Sequence, residues 1–250
     1  TPFTPTPGGT HADNLTANTL ILLADGCYIE LIHFVPSAPP AAVEAHWWGP
    51  SRPAAPGWKD WCLTTTTAPS TAPTTSHAPP VSGARQRADG VTVKWAVTFP
   101  LGTHGGQRDR GRVPFFCHDV TPRSLRVPLD ERATAHACGA VGVGELSVVV
   151  RDRGMWDETR EAWEGVFGAA GKEEDGVLAF EARRVVHVEG VPAPRVLLRV
   201  AREAEQRLLN EAGFWVGDVV LFAKAGEGGG KRVRLDAGEE GVGGLWVEYV

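Results

Sequence analysis

Sulfur is scarce in this chain of 250 residues: there are four cysteines (Cys27, Cys62, Cys117 and Cys138) and one methionine, Met155. No two cysteines are spaced C-x-x-C, so neither a zinc knuckle nor a thioredoxin-type redox pair is supported. Four cysteines in a chain this long do not make a disulfide scaffold, and the reading is buried thiols in a reducing compartment, the cytoplasm. Long apolar runs are missing as well. Thr19 to Leu23 and Leu146 to Val150 are strand-sized and far too short to cross a bilayer, so no membrane partner is expected. No charged-then-apolar leader opens the chain. Thr1 is not an initiator, so the chain reads as processed or as the remainder of a longer one. There is no excess of positive charge: 25 basic against 30 acidic residues give −5. Without a basic block interleaved with aromatics, nucleic acid is not an expected partner. A G-x-S-x-G element is absent, and the glycine run 226–230 lacks the Lys-Ser/Thr ending of a phosphate loop.

What is present is strand. Hydrophobic residues make up 42% and charged residues 22%, ordinary values for a globular chain with room for one large domain or two small ones. Asn18 to Leu23, the turn dipeptide Asp25-Gly26 and Cys27 to Ile32 read as a hairpin. Period-2 alternation puts Tyr28, Glu30 and Ile32 on one face of the return strand. Further strands are read at Val91–Phe99, Val113–Asp119, Gly144–Val150, Val177–Val188, Arg195–Val200, Trp215–Phe222, Val233–Leu235 and Leu245–Val250. Helical spacing of apolar residues appears in Trp156–Phe167, and a short helix is read near Arg202–Leu209. Strands with few helices indicate an α+β fold. The opening Thr1–Gly9 reads as extended or irregular. Trp61–Ser82, rich in Pro and Thr, reads as a mobile insertion. Just before it, Trp47, Trp48, Trp58 and Trp61 put four tryptophans in fifteen residues, too much aromatic area to lie loose in water.

One pattern occurs twice. Gly26-Cys-Tyr-Ile-Glu-Leu-Ile32 and Gly244-Leu-Trp-Val-Glu-Tyr-Val250 share glycine, apolar, aromatic, β-branched, Glu, bulky, β-branched. A glutamate in the middle of an apolar strand face is costly unless it is paired or ligated. Two such strands point to two copies of one unit around a shared cavity; the plain alternative is two amphipathic strands whose glutamates face water.

Gly9-Thr-His11, Thr16-Ala-Asn18-Thr and Asp25-Gly-Cys-Tyr-Ile-Glu-Leu-Ile32 resemble the glyoxalase-like domain of the vicinal oxygen chelate superfamily. His46-Trp-Trp-Gly49, Trp58-Lys-Asp-Trp61 and Val113-Pro-Phe-Phe-Cys-His-Asp119 are similar to the version of that domain common in fungal proteins. The resemblance implies paired βαβββ modules. In this chain it divides as 1–35, the remainder of a first module that is N-terminally incomplete; 36–85, a Trp-containing and Pro/Thr-rich insertion, partly disordered; 86–143, strands completing the first half; and 144–250, a second module. It further implies a divalent metal, Mg²⁺, Mn²⁺ or Zn²⁺, held by strand residues against two neighbouring substrate oxygens. Glu30 matches the last-strand ligand of module one, Glu248 that of module two, and Glu145 the opening-strand position where the family often has His. Three carboxylates would suit Mg²⁺ or Mn²⁺ better than Zn²⁺; they equally allow that no metal binds.

Candidate catalytic residues are Glu30 as ligand or general base, His11 in a Gly-rich turn, and His118 beside Asp119 at a strand end. Each has a plain counterpart: a paired structural Glu, a loop histidine bonded to Asp13 or Asn18, and neighbours facing opposite ways on a strand. Candidate substrate contacts are Tyr28, Trp47, Trp48, Phe116 and Trp246, with a satellite core the alternative for the tryptophan pair. The function implied is a metal-dependent lyase or isomerase acting on a small oxygenated molecule. The alternative is a non-catalytic protein of the same fold that sequesters a small molecule. A monomer or a homodimer fits either.

Overall fold

The computed structural model describes residues 1–46, 49, 58–65, 77–87, 89–101, 110–209, 212–224, 229–237 and 244–250. The fold is α+β, two curled seven-stranded sheets with few helices. The first sheet contains β1 (Thr6–His11), β2 (Thr16–Leu22), β3 (Tyr28–Phe34), β4 (Cys62–Thr64), β5 (Val81–Gln86), β6 (Thr92–Thr98) and β7 (Phe115–Asp119). They lie in the order β3-β2-β1-β5-β6-β7-β4. Helix α1 (Pro40–Ala45) follows β3, and α2 (Arg123–Arg126) and α3 (Glu131–Thr134) follow β7.

The second sheet is built from β8 (Ala140–Val150), β9 (Lys172–Glu174), β10 (Val177–Glu181), β11 (Arg195–Val200), β12 (Phe214–Ala223), β13 (Arg232–Arg234) and β14 (Leu245–Tyr249), in the order β13-β14-β12-β8-β11-β10-β9. Helix α4 (Arg153–Phe167) joins β8 to β9 and is capped by the Asp152 carboxylate, which accepts from Met155 N at 2.9 Å. β8, α4, β9, β10 and β11 form one βαβββ unit in which the first and last strands pair in parallel. The same parallel closure recurs between β4 and β7 and between β12 and β14.

Side-chain alternation decides how the sheets pack. Ile21, Leu23 and Ile29 face Ala140, Val219 and Leu221 of the second sheet. Leu20, Asn18 and Glu30 share the other face, because Leu20 and Glu30 are cross-strand partners. A larger core lies between β8, β11, β12 and α4, around Trp156, Trp163, Leu198 and Phe214. Each large side chain so buried contributes roughly 1.5–3 kcal/mol. The joint between sheets is the hairpin turn itself. Fully buried Asp25 accepts from Cys27 N at 2.9 Å and from Val143 N on β8 at 2.8 Å.

Two local expectations change. The opening segment, read as extended or irregular, contributes strand β1, which pairs with both β2 and β5 and shifts register between Pro7 and Gly9. Within the Thr/Pro-rich stretch read as mobile, Trp61 is buried, donating to Gly111 O at 2.8 Å and meeting Trp163 edge-on at 5.5 Å. Cys62–Thr64 then form β4, and Val81 opens β5. Backbone pairing with β7 and β6 holds these polar residues in the sheet, a contribution that side-chain composition does not display.

The first sheet is curled into a barrel with a seam. In a flat sheet, six spacings of about 4.8 Å would hold β3 and β4 roughly 29 Å apart. Arg123 instead reaches both sides, donating to Gly26 O beside β3 at 2.6 Å and to Thr64 Oγ1 on β4 at 3.4 Å. One guanidinium bridges the seam, so the face carrying Asn18 and Glu30 becomes the barrel's interior.

Candidate functional site

The interior of this barrel is polar at its centre. Asn18 on β2 donates from Nδ2 to Glu30 Oε1 on β3 at 2.5 Å. His11, ending β1, places Nε2 3.7 Å from the same oxygen and 3.5 Å from Asn18 Nδ2, and its Nδ1 lies 2.8 Å from Thr16 Oγ1. Two glycines make this arrangement possible. An added Cβ at Gly8 would lie 1.7 Å from Asn18 Oδ1, and one at Gly83 would lie 2.4 Å from Trp95 Nε1. Each glycine lets a site side chain lie against backbone.

Glu30 remains reachable, its side chain 31% exposed. Burial among the barrel walls pushes its carboxyl pKa up, but the His11 and Asn18 hydrogen bonds outweigh that and hold it below the ordinary 4.5. It is therefore ionised at neutral pH. Tyr28, two residues away on the same face, is held protonated by burial and by the Glu30 charge. Cys62 on β4 is open to solvent, yet the surrounding walls push its thiol well above the ordinary range. It is a neutral thiol and not a nucleophile at neutral pH.

Beneath these groups lie arginines. Arg126 is 5% exposed, stacks 5.1 Å over the Trp95 ring, donates from Nη1 to Cys117 Sγ at 2.6 Å and places Nε 3.0 Å from Asp119 Oδ1. Arg85 on β5, also 5% exposed, donates to Gly8 O.

The remaining residues singled out in the sequence fall elsewhere. His118 follows Cys117 and so faces the opposite side of the sheet, where its Nδ1 lies 2.7 Å from Thr65 Oγ1 and its ring stacks 6.2 Å from Phe116. Burial lowers its pKa, with Asp119 opposing. Asp119 points inward, to Arg123 at 2.8 Å and to Arg126. His118 and Phe116 are thus separated from His11, Glu30 and Tyr28 by the sheet. Trp246 lies in the second sheet, its Nε1 donating to Asp218 Oδ1 at 2.7 Å. Trp47 and Trp48 lie outside the described residues.

The three glutamates do not make one ligand set. Glu30 belongs to the first sheet, whereas Glu145 on β8 and Glu248 on β14 are drawn together in the second by Arg232, which reaches Glu145 Oε2 at 2.9 Å and Glu248 Oε2 at 2.6 Å. Arg195 closes on the other oxygen of Glu145. The sequence assigned Glu145 and Glu248 to the first and last strands of one module. The pairing instead gives β8 the parallel partner β11 and gives β14 the partner β12. Guanidinium groups hold Glu145 at both oxygens and Glu248 at one, which charge-pairs these carboxylates already. Among the described residues, no three His, Cys, Asp or Glu side chains are grouped so as to hold a metal ion. This donor set does not fit the divalent ion implied by the resemblance, and no step is routed through one.

Asn18, Trp95, Arg85 and Arg126 were not read as functional. Their signal lies in strand alternation: Asn18 shares its face with Leu20, and Arg85 and Trp95 sit on neighbouring strands. Only the closure of the barrel brings Arg126, from α2, beneath them.

No helix among the described residues is long and apolar enough to cross a membrane. No curated protein matches the chain. Among solved structures, a hypothetical protein from Staphylococcus aureus superposes with a TM-score of 0.67 at 13% identity, over 99% of this chain and 91% of that one, which shows the fold alone. Residues 1–167, which include the whole first sheet, β8 and α4, match the family described as a glyoxalase-like domain. With more than half of its length matched, the chain belongs to the glyoxalase-like domain family.

Proposed function

We propose that the chain is a lyase- or isomerase-type enzyme that moves a proton on a small oxygenated molecule bound inside the first-sheet barrel, with Glu30 as the base. The supporting observation is an ionised, reachable carboxylate held at one oxygen by Asn18 and His11 on an otherwise enclosed face. Asn18 fixes Oε1, which leaves Oε2 free to approach a C–H bond next to a carbonyl. Glu30 takes that proton, and the electron pair moves onto the carbonyl oxygen as an enolate. His11 Nε2, beside the same carboxylate, is placed to relay the proton onward. Tyr28, protonated at neutral pH, is a hydrogen-bond donor for the developing oxyanion. The four free thiols fit a reducing, cytoplasmic setting.

The test is solvent deuterium incorporation into hydroxyacetone, followed by proton NMR in D₂O. Wild type should exchange the α-protons above background, and Glu30→Gln should slow this on the order of 10²-fold. Saturable binding of the ketone without exchange would overturn the enzyme reading and leave a sequestering protein.

A further inference from the structure

Among the described residues, Glu30 and its neighbours share the barrel interior with more guanidinium groups than carboxylates. Two ion pairs at its margin are closed: Arg87 with Asp89 at 2.7 Å, and Arg110 with Asp60 at 2.6 Å. That leaves Arg85, Arg123 and Arg126 facing Glu30 and Asp119. Asp119 is shared, Oδ2 to Arg123 at 2.8 Å and Oδ1 to Arg126 at 3.0 Å. Arginine does not shed its proton in proteins, so among the described residues the guanidinium groups facing the interior outnumber its carboxylates by one.

The guanidinium donors show the same imbalance. Arg126 spends Nη1 on a thiol, a weak acceptor, and its Nη2 is buried without a hydrogen-bond partner among the described residues. A buried guanidinium nitrogen left without an acceptor is costly. Arg85, equally buried, makes one hydrogen bond, to Gly8 O. What would satisfy both the charge and the donors is a single anionic oxygen pair entering from the side of Glu30 and Cys62, where the interior is open to solvent.

We infer that the barrel interior binds a small 2-oxo acid as a monoanion, its carboxylate held by Arg126 and Arg85 and the C–H next to its keto group presented to Glu30. This rests on the reading of Glu30 as the base, and it names the substrate class of that site. Trp95, beneath Arg126 and edge-on to His11 at 6.3 Å, forms the wall that keeps the acid's carbon chain on the Glu30 side. The balance is that of simple enolisation: the C–H bond beside the keto carbon breaks, its electron pair becomes the new C=C bond, the C=O π pair passes to the oxygen as the enolate, and the proton moves to Glu30.

Pyruvate and methyl pyruvate differ in charge at the end that Arg126 would hold, so titration calorimetry of wild-type protein with each is the direct test. Pyruvate should bind at least tenfold more tightly than the ester, and acetate should compete with it. Arg126→Met and Arg85→Met should each erase most of that preference. Because Arg126→Met also removes the partner of Asp119 and could unfold, Arg126→Lys is the second variant, expected to keep part of the preference. Equal binding of acid and ester by wild type would overturn the inference without any variant. So would a preference that survives intact in folded Arg85→Met and Arg126→Met. The two readings fail separately. Exchange of hydroxyacetone that depends on Glu30, with no preference for the acid, sinks this inference alone. Preference for the acid with no exchange of any substrate sinks the base and leaves the anion site standing.

Discussion

Glu30 on β3 and Glu248 on β14 occupy the same place in the same sequence pattern, yet they have opposite surroundings. Glu30 is held at one oxygen by an amide and an imidazole, and its other oxygen has no partner among the described residues. Glu248 is tied to Arg232, the same guanidinium that holds Glu145, and Glu145 is closed from its other side by Arg195. A carboxylate held at one oxygen by an amide and an imidazole is ionised and keeps its second oxygen available; one enclosed by guanidinium groups is a structural link. Strands of one sequence pattern can therefore carry a carboxylate with an open oxygen in one sheet and a cross-strand tie in the other, according to what the neighbouring strands supply.

The most complete structural tie is a third case. Glu205, 1% exposed, accepts from both terminal nitrogens of Arg199 at 2.6 Å each and also from Arg202 N at 2.9 Å. Glu205→Ala should cost about 3–5 kcal/mol in urea unfolding, since it strands a buried guanidinium. If Glu205→Ala is neutral, enclosure by arginine is not what marks a carboxylate as structural here.

Glu30→Gln sharpens the contrast from the other side. The loss of exchange on the order of 10²-fold, equivalent to about 2.7 kcal/mol at the transition state, should come with little change in the urea midpoint. A Glu30→Gln protein that unfolds readily would place Glu30 among the structural ties. Gly8→Ala should act through Asn18. The new methyl would press on Asn18 Oδ1, costing about 1–3 kcal/mol of stability and slowing exchange roughly tenfold. Unchanged exchange in a folded Gly8→Ala protein would show that Asn18 does not position the base. Glu145→Gln should cost only about 1 kcal/mol, because Arg195 and Arg232 are half-exposed and water replaces the lost partner. It should leave exchange unchanged, and a tenfold loss would move the site to the second sheet.

Much of this contrast was legible in the sequence and part was not. Alternation alone put Tyr28 and Glu30 on one face, the many strands and few helices indicated α+β, the repeated strand pattern drew attention to Glu30, and the family resemblance added the paired modules. The hairpin and α4 were legible because their periodicities are strong. The partners of Glu145 were not, because Arg195 and Arg232 approach from strands β11 and β13, far along the chain. β4 was hidden for a different reason: its residues carry no apolar pattern, and it is a strand only because β7 offers a parallel edge. For His118 beside Asp119, the alternation rule that sets the two on opposite faces gives the arrangement found, with Asp119 on Arg123 and Arg126 and His118 on Thr65.

The smallest effect concerns pH, and it separates two carboxylates of the same barrel. The fold depresses the pKa of Glu30, so its contribution to stability is complete above the unfolded value near 4.5 and is lost as pH falls through the lower folded value. With the side chain a third exposed, screening keeps that contribution below about 1 kcal/mol. Asp60 moves the other way. Burial raises it to about 6 despite Arg110, so its ionisation opposes folding as pH rises from the ordinary 3.8 toward 6. If Glu30 is the base, the exchange rate should stay level as pH falls from 7 and decline only below 4.5, and Asp60→Asn should not move that limb. A limb near pH 6 that disappears in Asp60→Asn would transfer the essential ionisation to Asp60. The carboxylate held by Asn18 and His11 would then be the bystander, and the arginine-paired one the functional group.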